Sequence, residues 1–309
     1  MFRMKVLCLM AALLAPQAYA ASWSEGAPIE SARIAVRATV SGNQIYAGGG
    51  ATLSGPSDVF EAYDPRSNHW LPLESMPEGK DLFGMAAIGN RIYVAGGLSS
   101  LSDSKPSATV YAYDTAQGRW TRVASMPATR SGLTLSAVSG SLYAIGGTGS
   151  GSERVVRYDP SVDKWQAFGA AMPAPRSGHA AAVLGNKVYI VGGRGVGGEA
   201  YSRVDIFDAA TGQWSSAPSL PMAITGCTAD FLDDELHVAG GLATAQKRTL
   251  RDHYVLVASG WTKRDSMLTA RQGLASAAMD GKWYVIGGGA GNGAFAVFTD
   301  TDAVEIYAP

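Results

Sequence analysis

Cysteine, histidine and helical periodicity are all scarce in this sequence. Its 309 residues include two cysteines and four histidines, and these show no spacing typical of metal ligands. We therefore predict neither a bound metal nor a cofactor. No window has the 3.6-residue apolar repeat of an amphipathic helix, which predicts a helix content near zero. The sequence also lacks Asn-x-Ser/Thr, the acceptor motif for N-linked glycans.

A long apolar run appears only at the N-terminus, where it has the form of a secretory signal. Basic residues precede apolar residues 6–15, and Ala18 and Ala20 place small side chains at the two positions that a signal peptidase reads. We predict a signal peptide over residues 1–20 with cleavage before Ala21. The run is about half of a membrane-spanning length. Because no longer run follows, we predict no membrane insertion of the mature chain.

Charge of neither sign predominates in the remaining chain. Removing the two basic residues of the predicted signal leaves 23 basic against 26 acidic side chains, a net charge of −3. This balance argues against a nucleic-acid interface, so no nucleic-acid partner is predicted. Cys227 is then the only cysteine, no disulfide can form within one chain, and we interpret it as a buried core thiol. A cysteine-poor exported chain without glycan acceptors indicates a bacterial periplasmic or secreted protein.

Glycine is abundant, with 38 residues, and much of it belongs to a pattern that recurs six times. Each copy has a cationic position, an aromatic residue or histidine 13 residues later, and a glycine pair three residues after that. A second aromatic residue follows, and in the first five copies a tryptophan lies seven residues beyond it; in the fifth copy these are Tyr254 and Trp261. The cationic positions are Arg33, Lys80, Arg130, Arg176 and Arg271, with Ile224 in the fifth copy, and the glycine pairs begin at Gly49, Gly96, Gly146, Gly192, Gly240 and Gly287.

Each copy predicts four short strands. The first is rich in alanine, glycine and serine, and turn signals such as Gly89-Asn90 separate it from a second strand that ends in the glycine pair. The third strand contains the second aromatic residue, and the fourth opens with the tryptophan. Small residues suit six first strands that converge on one axis. Paired glycines indicate close approach of another group, which we expect to be an aromatic or tryptophan side chain.

The spaced glycine pair, tyrosine and tryptophan, with the lead-ins Met126–Arg130 and Met172–Arg176, resemble the kelch repeat. The resemblance implies an all-β fold over residues 21–309: a six-bladed β-propeller with four antiparallel strands in each blade. The last copy stops after its third strand at Tyr307, whereas the mature chain opens with Trp23. We therefore expect the N-terminal strand to complete the last blade.

In such a blade, the cationic position and the variable loop between the second and third strands emerge on the same side. We predict that this side binds a ligand through Arg33, Lys80, Arg130, Arg176, Arg194 and Arg271. The kelch adaptors of eukaryotes, which the chain resembles, hold acidic peptides with arginines on this face. The predicted partner is an acidic peptide or protein, or an anionic glycan. Alternatively, each cation bonds loop carbonyls of the neighbouring blade and simply repeats with the fold.

An enzymatic interpretation remains open beside the binding one. The chain is similar to the periplasmic N-acetylneuraminate epimerases (sialic acid mutarotases), which combine a signal peptide, six kelch repeats and an anionic sugar substrate. That resemblance implies a carboxylate for proton transfer and an arginine for the substrate carboxylate. Glu199 beside Arg194 and Arg176 is the candidate set. The loops here are shorter than in that family, so we assign no catalytic residue.

Overall fold

The computed structural model describes residues 22–100, 105–291 and 298–309, which form strands, turns and loops and contain no α-helix. The predicted signal peptide and its cleavage site lie outside the described residues. Within them, no helix is long and apolar enough to cross a membrane.

The described residues contain thirty strands. In chain order they are β1 (Ser22–Gly26), β2 (Arg37–Ser41), β3 (Gln44–Gly48), β4 (Ala51–Thr52), β5 (Gly55–Pro56), β6 (Phe60–Asp64), β7 (His69–Pro72), β8 (Gly84–Ile88), β9 (Arg91–Ala95), β10 (Val110–Asp114), β11 (Arg119–Val123), β12 (Thr134–Val138), β13 (Ser141–Ile145), β14 (Val156–Asp159), β15 (Lys164–Ala167), β16 (Arg176–Ser177), β17 (Ala180–Leu184), β18 (Lys187–Val191), β19 (Arg194–Gly195), β20 (Val204–Asp208), β21 (Gln213–Ala217), β22 (Thr228–Leu232), β23 (Glu235–Ala239), β24 (Leu242–Ala243), β25 (Arg248–Thr249), β26 (His253–Val257), β27 (Gly260–Arg264), β28 (Ala275–Met279), β29 (Lys282–Ile286) and β30 (Val304–Ala308).

Six four-stranded antiparallel sheets form the blades of a propeller, which confirms the predicted fold. From the innermost strand outward, blade 1 is β2-β3-β6-β7, blade 2 is β8-β9-β10-β11, blade 3 is β12-β13-β14-β15, blade 4 is β17-β18-β20-β21, blade 5 is β22-β23-β26-β27 and blade 6 is β28-β29-β30-β1. The two-residue strands pair as β4-β5, β16-β19 and β24-β25. Each innermost strand contacts those of the two adjacent blades, and β28 contacts β2, so the ring is closed.

The N-terminal strand closes the ring, as expected from the sequence. Strand β1 pairs antiparallel with β30, and Trp23 lies opposite Tyr307. Their ring centroids are 5.3 Å apart. Blade 6 therefore combines the two ends of the described chain, and its outermost strand is joined to the rest of that blade by noncovalent contacts alone.

Tryptophans on the outermost strands link each blade to the one before it. Each indole N–H donates to a backbone carbonyl that follows the outermost strand of the preceding blade. The bonds are Trp23 to Asp265, Trp70 to Ala27, Trp120 to Glu74, Trp165 to Ala124, Trp214 to Ala170 and Trp261 to Pro218, at 2.8–3.0 Å. Because Trp23 supplies one of the six, the closing strand also completes this cycle of hydrogen bonds.

The fifth blade departs from the predicted repeat alignment. Trp261 lies opposite Leu256 rather than Tyr254, because only Ala258 and Ser259 separate strands β26 and β27. In the other hairpins of this kind a longer turn places an aromatic residue opposite the tryptophan, as Tyr63 is opposite Trp70. The assignment of Tyr254 as the repeat aromatic was therefore wrong.

The glycine pairs contact backbone of the next blade rather than the repeat tyrosines and tryptophans that we expected, although the Phe83 ring also lies against Gly49. At Gly146, an added Cβ would lie 2.7 Å from the carbonyl oxygen of Arg176, and the φ of +65° also disfavours a side chain. Gly147 N–H donates to the same carbonyl at 2.9 Å. Equivalent bonds join Gly50 to Lys80, Gly97 to Arg130, Gly193 to Ile224, Gly241 to Arg271 and Gly288 to Arg33. A side chain here would hold adjacent blades apart.

Candidate ligand-binding face

One side of the disc carries the loops between second and third strands and those between successive blades. We call this side the loop face. The loops between second and third strands are residues 49–59, 96–109, 146–155, 192–203, 240–252 and 287–303, of which 101–104 and 292–297 lie outside the described residues. The other side carries short turns.

Five of the six predicted ligand-binding residues are buried beneath the loop face. Arg33, Lys80, Arg130, Arg176 and Arg271 each expose at most 2% of their surface. Their charged groups therefore do not form an exposed ring around the axis of the propeller. Each side chain turns into its own blade, where it meets acidic or carbonyl oxygens.

Three of these arginines form buried ion pairs with a carboxylate on the third strand of the same blade. The pairs are Arg33–Glu61 at 2.5 Å, Arg176–Asp205 at 2.8 Å and Arg271–Glu305 at 3.0 Å, with all six side chains at most 2% exposed. Each acid stands two residues before the third-strand aromatic residue, so the motif is acidic-x-aromatic. The acid is visible in the sequence, and its recurrence with the cation indicates a structural pair.

Lys80 is held differently, because Tyr111 occupies the position of the acid in blade 2. Lys80 Nζ donates to the carbonyl of Gly96 at 3.0 Å and to Thr109 Oγ1 at 2.8 Å. It also pairs with Glu78 at 2.8 Å and lies 5.8 Å from the centroid of the Tyr111 ring. Burial lowers the pKa of Lys80, and the interaction with Glu78 opposes that shift.

Arg130 in blade 3 has no acid on its third strand, where Val156 stands at that position. Its Nη2 donates to the carbonyls of Gly151 at 3.0 Å and Arg154 at 2.7 Å. This arrangement matches the structural alternative from the sequence, except that the carbonyls belong to the same blade and not to a neighbour. Burial lowers the pKa of Arg130, as it does that of Arg176 and Arg271.

In blade 5 the cation and its acid are both replaced. Ile224 occupies the cationic position, and Tyr254 stands where the other blades carry Glu61, Asp205 or Glu305. Removing one partner from a buried ion pair leaves an uncompensated charge. A structural ion pair is therefore expected to lose both of its charges together.

Arg194 alone among the predicted residues is exposed. It lies on strand β19, opposite Ser177 of β16, and forms no ion pair with any described residue. Arg203 is also exposed in the same loop, and Arg154 and Arg248 are exposed in the corresponding loops of blades 3 and 5. The solvent-facing cations of the loop face are therefore residues that do not repeat.

The candidate catalytic set is not assembled. The Glu199 carboxylate is exposed and accepts a hydrogen bond from Tyr201 at 2.8 Å, while Arg176 is buried against Asp205. Hydrogen bonds from its own backbone N–H and from Tyr201 lower the pKa of Glu199. A general base works best with a pKa near the working pH, and this environment shifts Glu199 in the other direction.

The axis of the ring holds two adjoining cavities. The upper one, at the loop face, has a volume of about 180 Å³ and is lined by residues that include Arg37, Thr134, His179, Cys227 and Asp230. Burial lowers the pKa of His179 to about 3 and raises that of Cys227 to about 12, so both groups are neutral at pH 7. Cys227 is the buried thiol that we predicted. The lower cavity shares Asp230 and has a volume of about 340 Å³.

The repeat pattern and the six blades agree with the match to a known family. The profile described as the KLHDC2/KLHL20/DRC7 Kelch-repeats domain matches residues 20–193 and 132–306. The chain belongs to the kelch-repeat family. Kelch propellers are in general protein-interaction modules.

Curated kelch relatives are similar over about a quarter of the chain. Kelch-like protein 23 of Mus musculus is 36% identical over 75 residues, which is 24% of this chain and 13% of the relative. Kelch-like protein 40 of Mus musculus is 29% identical over 79 residues, 26% of this chain and 13% of the relative. Kelch-like protein 26 of Danio rerio is 31% identical over 84 residues, 27% and 14% of the two chains. The matched segment thus spans about an eighth of the length of these kelch proteins.

Among solved structures, the kelch propeller here resembles that of YjhT. The two superpose with a TM-score of 0.77 at 17% sequence identity, covering 89% of this chain and 94% of YjhT. At that identity the likeness concerns the fold.

Proposed function

We propose that this kelch propeller is an exported interaction module that binds an acidic segment of a partner protein on the loop face of blades 3 to 5. The observation that supports the proposal is the group of exposed arginines in three adjacent loops, Arg154, Arg194, Arg203 and Arg248. None of the four occupies a repeated position, although Arg203 also pairs with Asp205, the buried partner of Arg176.

The distribution of exposed charge favours one half of the face. The loops of blades 6 and 1 carry the exposed acids Glu30, Asp58 and Asp302, and their described residues include no exposed cation. An acidic segment is therefore attracted to blades 3 to 5 and repelled from the opposite half. Complementary charge of this kind sets orientation and association rate more than affinity.

The binding should depend strongly on salt. Exposed charges more than about 10 Å apart are largely screened at 0.1 M ionic strength. A single exposed ion pair contributes about 0–1 kcal/mol, so the proposed affinity comes from several weak contacts acting together.

Charge reversal on this face tests the proposal. Arg154→Glu, Arg194→Glu and Arg248→Glu are combined, and binding of a fluorescent decaglutamate peptide is measured by anisotropy. The matched control combines Lys164→Glu, Lys187→Glu and Lys282→Glu, which are exposed at the opposite face and change the net charge equally. We expect the first variant to bind at least ten-fold more weakly and the control to bind as the unmodified protein does.

Equal losses in the two variants would show that net charge alone determines binding and would overturn the proposal. A carboxylated oligosaccharide of the same charge serves as a second probe. Tighter binding of the oligosaccharide than of the peptide would assign the face to an anionic glycan and contradict the peptide assignment.

Export is a separate part of the proposal and rests on residues 1–20. Expression of the full chain in a bacterial host, followed by N-terminal sequencing of protein released from the periplasm, tests it. The expected sequence begins at Ala21. Recovery of the uncut chain from the cytoplasm would contradict this part and leave the binding proposal in place.

A further inference from the structure

The six blades repeat, so a charged residue that occurs at one inner position in a single blade is not explained by the fold. Arg37 is the first residue of the inner strand of blade 1. The other blades have small residues at this position: Gly84, Thr134, Ala180, Thr228 and Ala275. Asp230 is the third residue of the inner strand of blade 5, where the other blades have Thr39, Ala86, Ser136, Ala182 and Ala277. Both Arg37 and Asp230 line the upper axial cavity.

Arg37 lies where the ring of backbone hydrogen bonds around this cavity is interrupted. The residue two positions before each inner strand has a positive φ of 53–66°: Ala35, Leu82, Gly132, Gly178, Gly226 and Gly273. Five hydrogen bonds from N–H to carbonyl link these residues from blade to blade. At the junction of blades 1 and 2, within the described residues, Arg37 Nε instead donates to the carbonyl of Phe83 at 2.9 Å.

The guanidinium of Arg37 keeps donors for a ligand. Its Nη1 donates to the carbonyl of Val36 at 3.2 Å, and its Nη2 makes no hydrogen bond to a described residue. The nearby carboxylate of Asp81 attracts it without forming an ion pair within 4.0 Å among the described residues. Guanidinium groups bind carboxylates through paired N–H donors.

Asp230 forms a second polar group on the same cavity, two blades away from Arg37. It accepts hydrogen bonds from Trp283 Nε1 at 2.9 Å and from Ser276 Oγ, and the Ser276 hydroxyl lies 2.5 Å from Thr228 Oγ1. These bonds fix the carboxyl group, and both hydroxyls line the cavity. The cluster therefore offers acceptors for a hydroxyl or ammonium group.

We propose that the upper axial cavity binds a small carboxylate that carries a hydrogen-bond donor at its far end, with the carboxylate at Arg37 and the donor at Asp230. The volume of about 180 Å³ limits the ligand. An engineered 150 Å³ cavity in another protein holds benzene, so about seven non-hydrogen atoms fit here. A dicarboxylate is disfavoured because its second charge would face Asp230.

Calorimetry with four small probes tests the site. Glycerate and 4-aminobutyrate have a carboxylate and a distal donor, whereas butyrate lacks the donor and glycerol lacks the carboxylate. We expect one of the first two to bind with 1:1 stoichiometry, and the last two to bind at least ten-fold more weakly. Preference for glycerate identifies a hydroxyl donor, and preference for 4-aminobutyrate an ammonium donor.

Variants assign the two ends of the ligand. Arg37→Gln should weaken binding of the preferred probe at least ten-fold, and Asp230→Asn should weaken 4-aminobutyrate more than glycerate. Ser136→Ala is the control, since Ser136 is the blade 3 counterpart of Asp230 and lines only the lower cavity. If Arg37→Gln does not fold, the effect of Asp230→Asn on binding of the two probes tests the site by itself.

The proposal is overturned if neither probe gives saturable heat up to about 10 mM, which corresponds to only about 3 kcal/mol of binding free energy. It is also overturned if Asp230→Asn binds both probes unchanged, or if butyrate binds as well as the preferred probe. Because the exposed arginines of blades 3 to 5 take no part in this site, its failure leaves the proposed peptide binding untouched.

Discussion

Arg176 and Arg194 belong to paired two-residue strands, β16 and β19, yet they lie in opposite environments. Arg176 is buried against Asp205, and Arg194 is exposed. The sequence places both near the loop face, and because both are arginines the residue type does not show which one is buried. What separates them is the acid 29 residues after Arg176, which recurs with the cation in blades 1, 4 and 6. A charge that repeats together with an opposite charge indicates a structural pair.

Histidines distinguish blade 5 at the residue scale as well. His237 replaces the tyrosine of the other second strands, and its Nδ1 lies 2.9 Å from Nε2 of His253. His253 packs against Trp23, and His237 packs against Trp283. Burial lowers the pKa of His237 to about 4 and that of His253 to about 3. The folded state therefore holds both rings neutral.

We predict that this pair destabilises the protein in acid. The unfolded histidines take up protons below pH 6.5, whereas the folded ones do not until about pH 4, so stability is lost as the pH falls through this window. His237→Tyr, which restores the repeat residue, should reduce the loss between pH 6.5 and 4.5 by on the order of 2 kcal/mol. Urea unfolding at the two pH values measures it.

Buried carboxyl groups change the stability with pH in the opposite sense. The test therefore compares His237→Tyr with the unmodified protein at each pH. Burial raises the pKa of Asp81 and Asp230 to about 6, and these groups favour the folded state as the pH falls toward 3.8. Their effect is common to both proteins. An identical pH dependence in His237→Tyr would contradict the account of the histidine pair.

At the scale of elements, the glycine pair is the joint between blades. Gly146 has a φ of +65°, and an added Cβ would lie 2.5 Å from His179 and 2.7 Å from the Arg176 carbonyl of the next blade. Gly185, in a turn on the opposite face, has a similar φ of +56°, but nothing lies within 4 Å of its Cβ position. The two glycines therefore differ in packing and not in backbone conformation.

We predict that Gly146→Ala costs at least about 2 kcal/mol more than Gly185→Ala. Both substitutions place alanine in the left-handed region, at about 1–2 kcal/mol, and only the first also forces two blades apart. Equilibrium unfolding of the two variants gives the difference directly. Equal losses of stability would mean that Gly146 is needed for its backbone conformation alone and not for the contact between blades.

Strands and turns were predictable from the sequence because their signals are local. Alternating strands, turn residues such as Gly89-Asn90 and the glycine pairs gave four strands in each repeat. The contact partner of the glycine pair was not predictable, since it is the backbone of another blade. The register of blade 5 was missed because its hairpin is shorter, which moved Leu256 and not Tyr254 opposite Trp261.

At the scale of the whole molecule, closure depends on strand β1. Trp23 is 8% exposed, packs on Tyr307 and donates to the carbonyl of Asp265 in the preceding blade. We predict that deleting residues 21–29 lowers the melting temperature by more than about 10 °C, because a buried tryptophan alone contributes about 3–5 kcal/mol. Deletion of residues 1–20 only is the control. Equal melting of the two proteins would show that the ring does not depend on this strand.

Blade number and closure followed from counting repeats, whereas the sites did not. The axial cavity was missed because Arg37 and Asp230 are far apart in sequence and line one cavity only when the ring closes. The five repeated cations were assigned to a ligand because their shared face was predictable but their burial was not. Both proposed sites instead use residues that break the repeat, Arg37, Arg194 and Asp230 among them.

We propose that the repeated cations hold the blades and that the exposed, non-repeated arginines bind the partner. Melting temperature and decaglutamate binding, measured side by side for Arg176→Ala and Arg194→Ala, test it most directly. The account predicts that Arg176→Ala loses about 3–5 kcal/mol of stability, whereas Arg194→Ala melts as the unmodified protein does and binds the peptide more weakly. Unchanged melting of Arg176→Ala, together with loss of peptide binding in that variant alone, would contradict it.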